Sequence, residues 1–424
     1  MTGPTRRQLL TGLAALGLQG LAGAGVQAAV SPVRLVVVGG GFGGATAARS
    51  LKRLLPGAKV TLVEPNKRYT ACPFSNLVVA GQRELVQQQF SYDALAREGI
   101  GVARDAASDV DTASRKVTLA GGAQLPYDRL VLSPGIDFRW GALVGYGQDA
   151  VERLPHAWKA GVQSTLLRDQ LLAMPAGGVF ALSITAAPFR CPPGPYERAS
   201  LVAEYLSRNN PTAKLLILDS NERFSKQSLF QSAWDQRYGE IVEWRSASND
   251  GRVTRVDADS MQLFTDFEDI RADVINVVPP QKAGAIAARA GVADATGWCP
   301  IDARDFSSTL QANVHVIGDA TIAAPMPKSA FSANAQAKIC AIQIARSLAG
   351  LDVEATTLAN TCYSFLSPDE AISVSGVYRS DQGRFSNVPG AGGVSPLQSA
   401  AGFPEREANQ ARAWFTRITR ETFG

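Results

Sequence analysis

Histidine and cysteine are scarce in this chain of 424 residues, which contains two histidines and five cysteines. Neither His156 nor His315 has a partner at the spacing of metal ligands, so we interpret both as structural and predict no protein-bound metal. The motif C-x-x-C-H is absent, which excludes a c-type haem on this chain. The cysteine density is too low for a disulfide-stapled scaffold. Any disulfide therefore needs a specific chemical reason.

The chain also lacks a strong charge and a long uninterrupted apolar run. Its net charge is +4 and no basic patch is interleaved with aromatic residues, so we predict no nucleic-acid partner. The apolar run near the N-terminus is short and broken by glycines. It follows Arg6 and Arg7 and ends at the small-residue site 26–28. Residues 1–28 therefore predict a twin-arginine signal, periplasmic localisation, and no membrane span after its removal.

A glycine-rich turn between a strand and a helix marks the first part of the chain. The apolar residues 35–38 are followed by Gly39, Gly41 and Gly44, in the spacing G-x-G-x-x-G, and then by an alanine-rich helical pattern. Such glycines allow a tight turn, close backbone approach to a pyrophosphate and close helix–strand packing. A second apolar strand ends at Glu64, where a ribose-binding acid is expected. The pattern predicts a dinucleotide site.

No second glycine fingerprint follows the later strand pattern at residues 178–184. The loop that comes next, residues 185–198, contains four prolines. Because proline fixes φ and lacks an N–H donor, this loop cannot cradle a pyrophosphate as a glycine turn does. Helix and strand patterns nevertheless continue to residue 219. The sequence therefore predicts a second Rossmann-like unit without a nucleotide site.

A late motif completes the predicted cofactor site. The apolar residues 314–317 run into Gly318 and Asp319, a pattern in which the aspartate accepts a hydrogen bond from the ribityl chain of FAD. We predict an α/β fold with two Rossmann-like dinucleotide-binding domains, as in glutathione-reductase-like flavoproteins, and a smaller α+β C-terminal domain. The predicted parts are the FAD-binding domain at 31–145 and 272–348, the second Rossmann-like domain at 146–271 and the C-terminal interface domain at 349–424.

Two cysteines that are distant in sequence carry the redox hypothesis. Cys191 lies in the proline-rich loop, and Cys362 lies near the start of the last domain. Without a nicotinamide site, another device must deliver electrons to the flavin, and a disulfide facing the ring is one. Two buried structural thiols, or an ordinary stabilising bridge, are the alternatives. Glu197 is the acid best placed near this chemistry, unless it is a surface residue on the first turn of a helix.

The remaining cysteines have simpler interpretations. Cys72 lies in a loop expected to pass the flavin ring, where it is either a point of covalent attachment or a buried thiol. Cys299 and Cys340 are interpreted as buried thiols.

The chain resembles the flavoprotein subunit of flavocytochrome c sulfide dehydrogenase. The segments that carry the resemblance cover nearly the whole mature chain, and the proline-rich cysteine segment is the most specific. They are residues 39–48, 64–76, 154–161, 186–200, 225–228, 297–300, 317–320, 325–329 and 360–364.

The resemblance implies specific roles. Cys72 corresponds to the cysteine that holds FAD covalently, although its neighbours depart from the family pattern. Cys191 and Cys362 correspond to a redox-active disulfide, and Glu197 to a proton-handling acid. The other cofactor-binding residues implied are Gly39, Gly41, Gly44, Glu64, Gly318, Asp319 and Lys328. The substrate implied is sulfide, oxidised to zero-valent sulfur or polysulfide, with electrons passing to a c-type cytochrome subunit or soluble cytochrome c.

Three other functions remain open from the sequence. A sulfide:quinone oxidoreductase would share the fold but would need an apolar C-terminus, whereas residues 405–421 are rich in charge. An NAD(P)H-dependent disulfide reductase would need the missing second phosphate loop. A non-catalytic flavin-binding accessory subunit would bind flavin without turnover.

Overall fold

The strand and helix patterns of the sequence form three sheets of four or more strands in the structure, a computed structural model that describes residues 32–424. The twin-arginine segment at residues 1–28 lies outside the described residues, so export stays a prediction. The helices are α1 Phe42–Leu54, α2 Ser75–Val79, α3 Asp93–Arg97, α4 Val162–Ala173, α5 Gly194–Asn209, α6 Gln227–Arg237, α7 Ile286–Arg289, α8 Ala330–Leu348 and α9 Phe403–Phe423.

The strands follow the same chain order. They are β1 Arg34–Val38, β2 Lys59–Val63, β3 Arg68–Thr70, β4 Gln89–Ser91, β5 Gly101–Ala103, β6 Ala107–Asp111, β7 Lys116–Leu119, β8 Gln124–Pro126, β9 Arg129–Leu132, β10 Ile136–Phe138, β11 Val179–Ile184, β12 Lys214–Asp219, β13 Val242–Arg245, β14 Arg255–Asp257, β15 Gln262–Phe264, β16 Asp269–Arg271, β17 Val274–Val278, β18 Gln281–Ala283, β19 Cys299–Pro300, β20 Val314–Val316, β21 Thr321–Ile322, β22 Thr357–Ser367, β23 Glu370–Asp381, β24 Arg384–Asn387 and β25 Gly393–Val394.

The first sheet is parallel and has the strand order β20-β9-β1-β2-β5. Its strands are short and apolar, and β1 is buried at four of its five positions, as expected for a parallel sheet covered on both faces. Helices α1 and α8 pack against each other beside this sheet. The loops that follow β1, β2, β9 and β20 all leave the carboxyl edge, which is where ligands bind in open α/β sheets.

The second sheet is also parallel, with the order β13-β12-β11-β17. The sequence predicts that residues 272–348 belong to the FAD-binding domain. This prediction is wrong for β17, which lies in the second sheet. This strand is buried at every position and pairs with β11 along residues 180–184. An apolar strand fits either parallel sheet equally well, so its composition could not decide between them.

The third sheet is antiparallel and lies near the C-terminus. A long hairpin of β22 and β23 is extended by β24, and β25 also pairs with β23. Helix α9 packs against β23 and α1. Together with the two parallel sheets, this α+β unit confirms the predicted fold class. Residues 33–424 form one compact unit, and the other predicted domain limits stay predictions.

Of the helices within residues 32–424, none combines the length and apolar character needed to cross a bilayer.

Candidate active site

A cavity of about 530 Å³ lies at the carboxyl edge of the first sheet. It is lined by the loop after β1, by Glu64 after β2, by Ser133 after β9 and by Asp319 after β20. The loop before α5 and strand β22 also contribute to the lining, with Cys191 and Cys362. The cavity therefore brings together the predicted cofactor-binding residues and the two cysteines of the redox hypothesis, which are distant in sequence.

The glycine loop is held in a shape that side chains would obstruct. Gly39 has a φ of +98°, and a Cβ added there would lie 2.3 Å from the carbonyl oxygen of Ser133. A Cβ added to Gly44 would lie 1.8 Å from the carbonyl oxygen of Gly39. Gly41 directly precedes α1, whose first residues Phe42 and Gly43 line the cavity. The first N–H groups of a helix favour phosphate groups at such a position.

Glu64 is buried in the wall of this cavity. One carboxylate oxygen accepts a hydrogen bond from the N–H of Gly40 at 2.8 Å. The other accepts from the backbone and side-chain nitrogens of Asn66, at 2.9 and 2.8 Å. A carboxylate has about four acceptor positions, so Glu64 ties the glycine loop to β2 and keeps acceptor capacity for a ribose hydroxyl.

Asp319 supplies the sharpest test of whether the cavity fits a cofactor. Its Oδ1 is buried and has no hydrogen-bond partner in the described structure. Burial raises the pKa of this carboxyl, while Arg190 and Lys328 lower it. A buried acceptor without a donor is costly, and a ligand hydroxyl would satisfy it. The residues present therefore fit a flavin dinucleotide with its ribityl chain at Asp319 and its phosphates at α1.

Lys328 does not line the cavity and instead contacts the backbone of residues next to it. Its Nζ donates to the carbonyl oxygens of Asp319 at 2.9 Å and Thr321 at 2.6 Å. It also lies 3.9 Å from the centre of the Trp298 ring. Burial lowers the pKa of Lys328 to about 8. In this structure the residue holds the turn after Gly318 in place and does not face the predicted ligand.

Cys191 and Cys362 reach the cavity on separate elements. Cys191 precedes α5 and has a φ of +56°, and its N–H donates to the carbonyl oxygen of Lys328 at 2.9 Å. Cys362 lies within β22. Burial raises the pKa of both thiols, and negative charge on Cys362 raises the pKa of Cys191 further. Both are free thiols here, so the predicted bridge stays a prediction.

Glu197 is buried, which rules out the surface position considered from the sequence. Its Oε1 accepts from the N–H of Phe365 at 3.0 Å, and its Oε2 accepts from Nδ2 of Asn76 at 2.8 Å. Burial raises the pKa of this carboxyl, and these two hydrogen bonds lower it. Glu197 therefore connects the helix that follows Cys191 to the strand that carries Cys362.

Sequence reasoning missed the residues that support Glu197. Arg198 is 1% exposed and donates to Oδ1 of Asn76 at 3.0 Å and to Oδ1 of Asn276 at 2.7 Å. Because Arg198 occupies Oδ1 of Asn76, the amide nitrogen of Asn76 is directed at Glu197. Lys226 was also missed. The only signal for Asn76, Arg198 and Lys226 was their presence in segments that resemble the family, and Asn276 lies outside those segments.

The remaining cysteines and histidines take the places expected of them. Cys72 lines the cavity, with its sulfur 3.9 Å from the carbonyl oxygen of Trp158. Cys299 and Cys340 are buried and do not line it. His156 accepts from the N–H of Trp158 at 3.0 Å, and burial lowers its pKa to about 3. Within residues 32–424, no group of histidine, cysteine and acidic side chains has the arrangement of a metal site.

In the second sheet, the position of a nucleotide-binding acid is filled by the protein's own side chains. Asp219 ends β12 and is fully buried. It accepts from the hydroxyl of Tyr196 at 2.6 Å, from Nε1 of Trp244 at 3.1 Å and from Asn221. The Tyr196 ring stacks on Phe224 at 3.6 Å. The acceptor positions of Asp219 are therefore occupied and leave none for a ribose hydroxyl.

Three stretches of the chain match protein families. Residues 164–279 match "Sulfide dehydrogenase (flavocytochrome c) flavoprotein chain, central", residues 354–423 match "Flavocytochrome c sulphide dehydrogenase, flavin-binding", and residues 33–158 match "Pyridine nucleotide-disulphide oxidoreductase". A sulfide dehydrogenase (flavocytochrome c) flavoprotein chain from Chlorobaculum thiosulfatiphilum is 60% identical over 45 residues, covering 11% of this chain and 94% of that sequence. The chain belongs to the flavocytochrome c sulfide dehydrogenase flavoprotein family.

Other oxidoreductases are similar to this chain in sequence or in fold at lower identity. The mitochondrial sulfide:quinone oxidoreductase of Mus musculus is 24% identical over 333 residues, which cover 72% of this chain and 69% of that protein. The solved sulfide:quinone oxidoreductase of Aquifex aeolicus has a TM-score of 0.71 at 17% identity, covering 92% of both chains. A ferredoxin reductase from Rhodopseudomonas palustris has a TM-score of 0.63 at 17% identity, covering 81% of this chain and 82% of that one. These structures establish the fold.

Membership of the flavocytochrome c sulfide dehydrogenase flavoprotein family confirms the resemblance predicted from the sequence. The chain is a flavoprotein oxidoreductase. FAD is the cofactor that the glycine loop, Glu64 and Asp319 fit.

Proposed function

We propose that this flavoprotein oxidises hydrosulfide through a redox-active disulfide between Cys191 and Cys362 and passes the electrons through FAD to a c-type cytochrome. The observation that carries this proposal is the lining of one cavity by both cysteines and by the flavin-binding residues. The similarity to a sulfide dehydrogenase and to a sulfide:quinone oxidoreductase supports sulfide as the substrate. The product is zero-valent sulfur or polysulfide.

The chemistry follows from the exchange reactions of sulfur. A hydrosulfide ion attacks one sulfur of the bridge, a new S–S bond forms, and the other cysteine leaves with the electron pair as a thiolate. When bound, FAD accepts two electrons and releases them one at a time to a haem acceptor. Cys362 is buried and Cys191 is half-buried, which limits access by larger thiols.

Glu197 is proposed to handle the proton that hydrosulfide chemistry releases. It is buried close to both cysteines, and burial raises the pKa of its carboxyl. An acid with a raised pKa can accept a proton nearer to neutral pH than an exposed glutamate. Asn76 and the N–H of Phe365 hold its two oxygens in place. These two hydrogen bonds fix the position of the Glu197 carboxyl group.

Helix α9 supports a protein acceptor over a membrane quinone. Its large apolar side chains Phe415, Ile418 and Phe423 are 4%, 5% and 3% exposed, and Phe403 and Trp414 are half-buried, so most of its apolar surface lies in the interior. The face of α9 that remains outside carries charged residues such as Glu405, Arg406 and Arg417. Insertion into lipid requires an available apolar face. We therefore propose a c-type cytochrome subunit or a soluble cytochrome c as partner, in the periplasm after twin-arginine export.

Anaerobic reduction of the flavin tests the proposed function. We expect micromolar sulfide to bleach the flavin absorbance of the purified protein, and NADH at the same concentration to leave it unchanged. The reason is that Asp219 in the second sheet is saturated by its own neighbours. Bleaching by NADH would support a pyridine-nucleotide-dependent reductase instead. Bleaching by neither donor would support a non-catalytic flavin-binding subunit.

The acceptor can be assigned in the same assay. The reduced protein should transfer electrons to soluble cytochrome c faster than to a short-chain quinone at equal concentration. Faster reduction of the quinone would favour a sulfide:quinone oxidoreductase.

We also propose that Cys72 attaches FAD covalently, because its sulfur lies in the lining of the cofactor cavity. After denaturation, the wild-type peptide that contains Cys72 should carry the mass of FAD. Cys72→Ser should release all of its flavin on denaturation, since a hydroxyl cannot form the thioether. The control is Cys340→Ser, which changes a buried cysteine outside the cavity and should retain the attached flavin. Free FAD from the denatured wild type would contradict the proposal.

A further inference from the structure

The ammonium group of Lys226 is buried beside the strand that carries Cys362. Lys226 is 7% exposed, and its Nζ donates to the carbonyl oxygen of Cys362 at 3.1 Å, to Oγ of Ser364 at 2.9 Å and to the carbonyl oxygen of Ile372 at 3.4 Å. All three acceptors are neutral. Among the lysines of residues 32–424, ion pairs are made by Lys159 and Lys338 and not by Lys226.

A buried cation that faces only neutral acceptors is costly, because hydration is lost without compensation from an opposite charge. Such a group is explained when an anion is present beside it during part of the working cycle. Burial lowers the pKa of Lys226 to about 8, whereas Cys362, Glu197, Cys191 and Glu407 raise it. Its Nζ donates three hydrogen bonds, which is the full donor capacity of an ammonium group, and these neighbouring ionisable groups are the candidates for its anion.

The two neighbouring carboxylates are already held by other groups. Glu197 accepts from the N–H of Phe365 and from Asn76. Glu407 accepts from Oγ of Ser373 at 2.8 Å and from Oγ of Ser395 at 2.6 Å. Neither forms an ion pair with Lys226. Tyr378 is also near Cys362, but burial and negative charge on Cys362 raise the pKa of its hydroxyl, so Tyr378 is neutral and is not the anion.

The sulfur of Cys362 also has a hydrogen-bond donor aimed at it. Nδ2 of Asn360 lies 3.2 Å from this sulfur. Oδ1 of Asn360 accepts from Oγ of Ser329 at 2.6 Å and from Oγ of Ser332 at 3.1 Å. Because two hydroxyl groups occupy Oδ1, the amide is oriented with its nitrogen toward the sulfur. Cys191 has no such donor within the described residues, although the charges of Arg190 and Lys226 lower the pKa of its thiol. The two sulfurs therefore differ in hydrogen bonding.

We propose that Lys226 is a positioning residue that supplies the counter-charge for a thiolate on Cys362, and that hydrosulfide consequently attacks Cys191. This inference rests on the proposed function. In the step, a bond forms between the hydrosulfide sulfur and Sγ of Cys191, and the Cys191–Cys362 bond breaks. Cys362 takes the electron pair as a thiolate, and the proton of hydrosulfide stays on the new persulfide. The negative charge moves from the incoming ion to Cys362, beside Lys226.

Alkylation of the reduced holoprotein tests the counter-charge. Iodoacetamide reacts with thiolates, and peptide mass mapping gives a separate rate for each cysteine. At neutral pH, Lys226→Met should slow alkylation of Cys362 at least about tenfold, since a nearby opposite charge shifts a pKa by one unit or more. The rate at Cys191 should fall less, because the charge of Arg190 also lowers the pKa of the Cys191 thiol and remains in the variant. Lys226→Arg, which retains the charge, should restore most of the Cys362 rate.

Ser364→Ala is the matched control, because it removes one acceptor of Lys226 and leaves the charge. In this variant, iodoacetamide should alkylate Cys362 within about twofold of the wild-type rate, since the counter-charge governs the thiolate fraction. Equal Cys362 rates in the wild type and Lys226→Met would overturn the inference, as would equal slowing in Ser364→Ala.

A second measurement uses the wild-type protein and does not depend on the folding of a variant. After a short sulfide pulse and an acid quench, the persulfide should be found on the peptide that contains Cys191. A persulfide on Cys362 would overturn the inference while leaving sulfide oxidation intact. Absence of any Cys191–Cys362 bridge in the oxidised protein would instead contradict the proposed function, so the two failures are distinguishable.

Discussion

Cys362→Ser is expected to lower the rate of flavin reduction by sulfide by a factor of roughly 10³ or more, because removal of an essential reacting group leaves only binding and background reaction. Serine nearly conserves the size of cysteine, so β22 and the cavity lining should persist. Its hydroxyl cannot form a disulfide with Cys191, and hydrosulfide then has no S–S bond to attack. The measurement is anaerobic stopped-flow recording of the flavin absorbance after mixing with sulfide.

Cys299→Ser provides the control for this experiment. Cys299 is also buried, but it lies in β19 and outside the cavity lining. Its variant should bleach at close to the wild-type rate and should retain the same flavin content. Wild-type bleaching in Cys362→Ser would show that electrons reach the flavin without the disulfide, and the proposed mechanism would then be wrong.

Gly44→Ala is expected to produce protein that largely lacks FAD. A Cβ at this position would lie 1.8 Å from the carbonyl oxygen of Gly39, so α1 must move away from the turn after β1. Overpacking of this kind costs roughly 1–3 kcal/mol. Since each 1.4 kcal/mol is a factor of ten in affinity, FAD binding should weaken about 10- to 100-fold. The flavin-to-protein absorbance ratio of the purified variant measures the loss.

Gly57→Ala is the matched substitution outside the site. Gly57 is exposed, and a Cβ added there would meet nothing within 4 Å. This variant should carry the wild-type amount of FAD and unfold at a similar temperature. A full flavin content in Gly44→Ala would mean that the turn adapts without cost, and the close packing of α1 on the glycine loop would lose its assigned role.

Several parts of the cofactor site were predictable because their signals are local. The spacing of Gly39, Gly41 and Gly44 predicts a turn that only small residues permit, and Gly39 indeed has a φ of +98°. A single apolar strand followed by Gly318 and Asp319 was enough to place the second part of the site. The prolines of residues 185–198 indicated a missing phosphate loop. Each of these inferences depends on neighbours within about twenty residues.

The position of β17 shows where such reasoning fails. Its sequence is apolar throughout, and it is buried at every position in the second sheet. The same composition would suit the first sheet, because both sheets are parallel and covered on both faces. Only pairing with β11, which lies about ninety residues earlier, distinguishes the two. Strand pairing over such a separation leaves no local pattern.

The chemical character of each sulfur depended on contacts that no pattern encodes. Burial of Glu197, the orientation of Asn360 by two serine hydroxyls, and the placement of Lys226 beside Cys362 all join residues that are distant in sequence. The amino-acid order was sufficient for the fold class, the cofactor loop and the candidate cysteines, since these follow from backbone geometry and local periodicity. Folding determined which groups surround each sulfur, because burial and charge are properties of a packed environment.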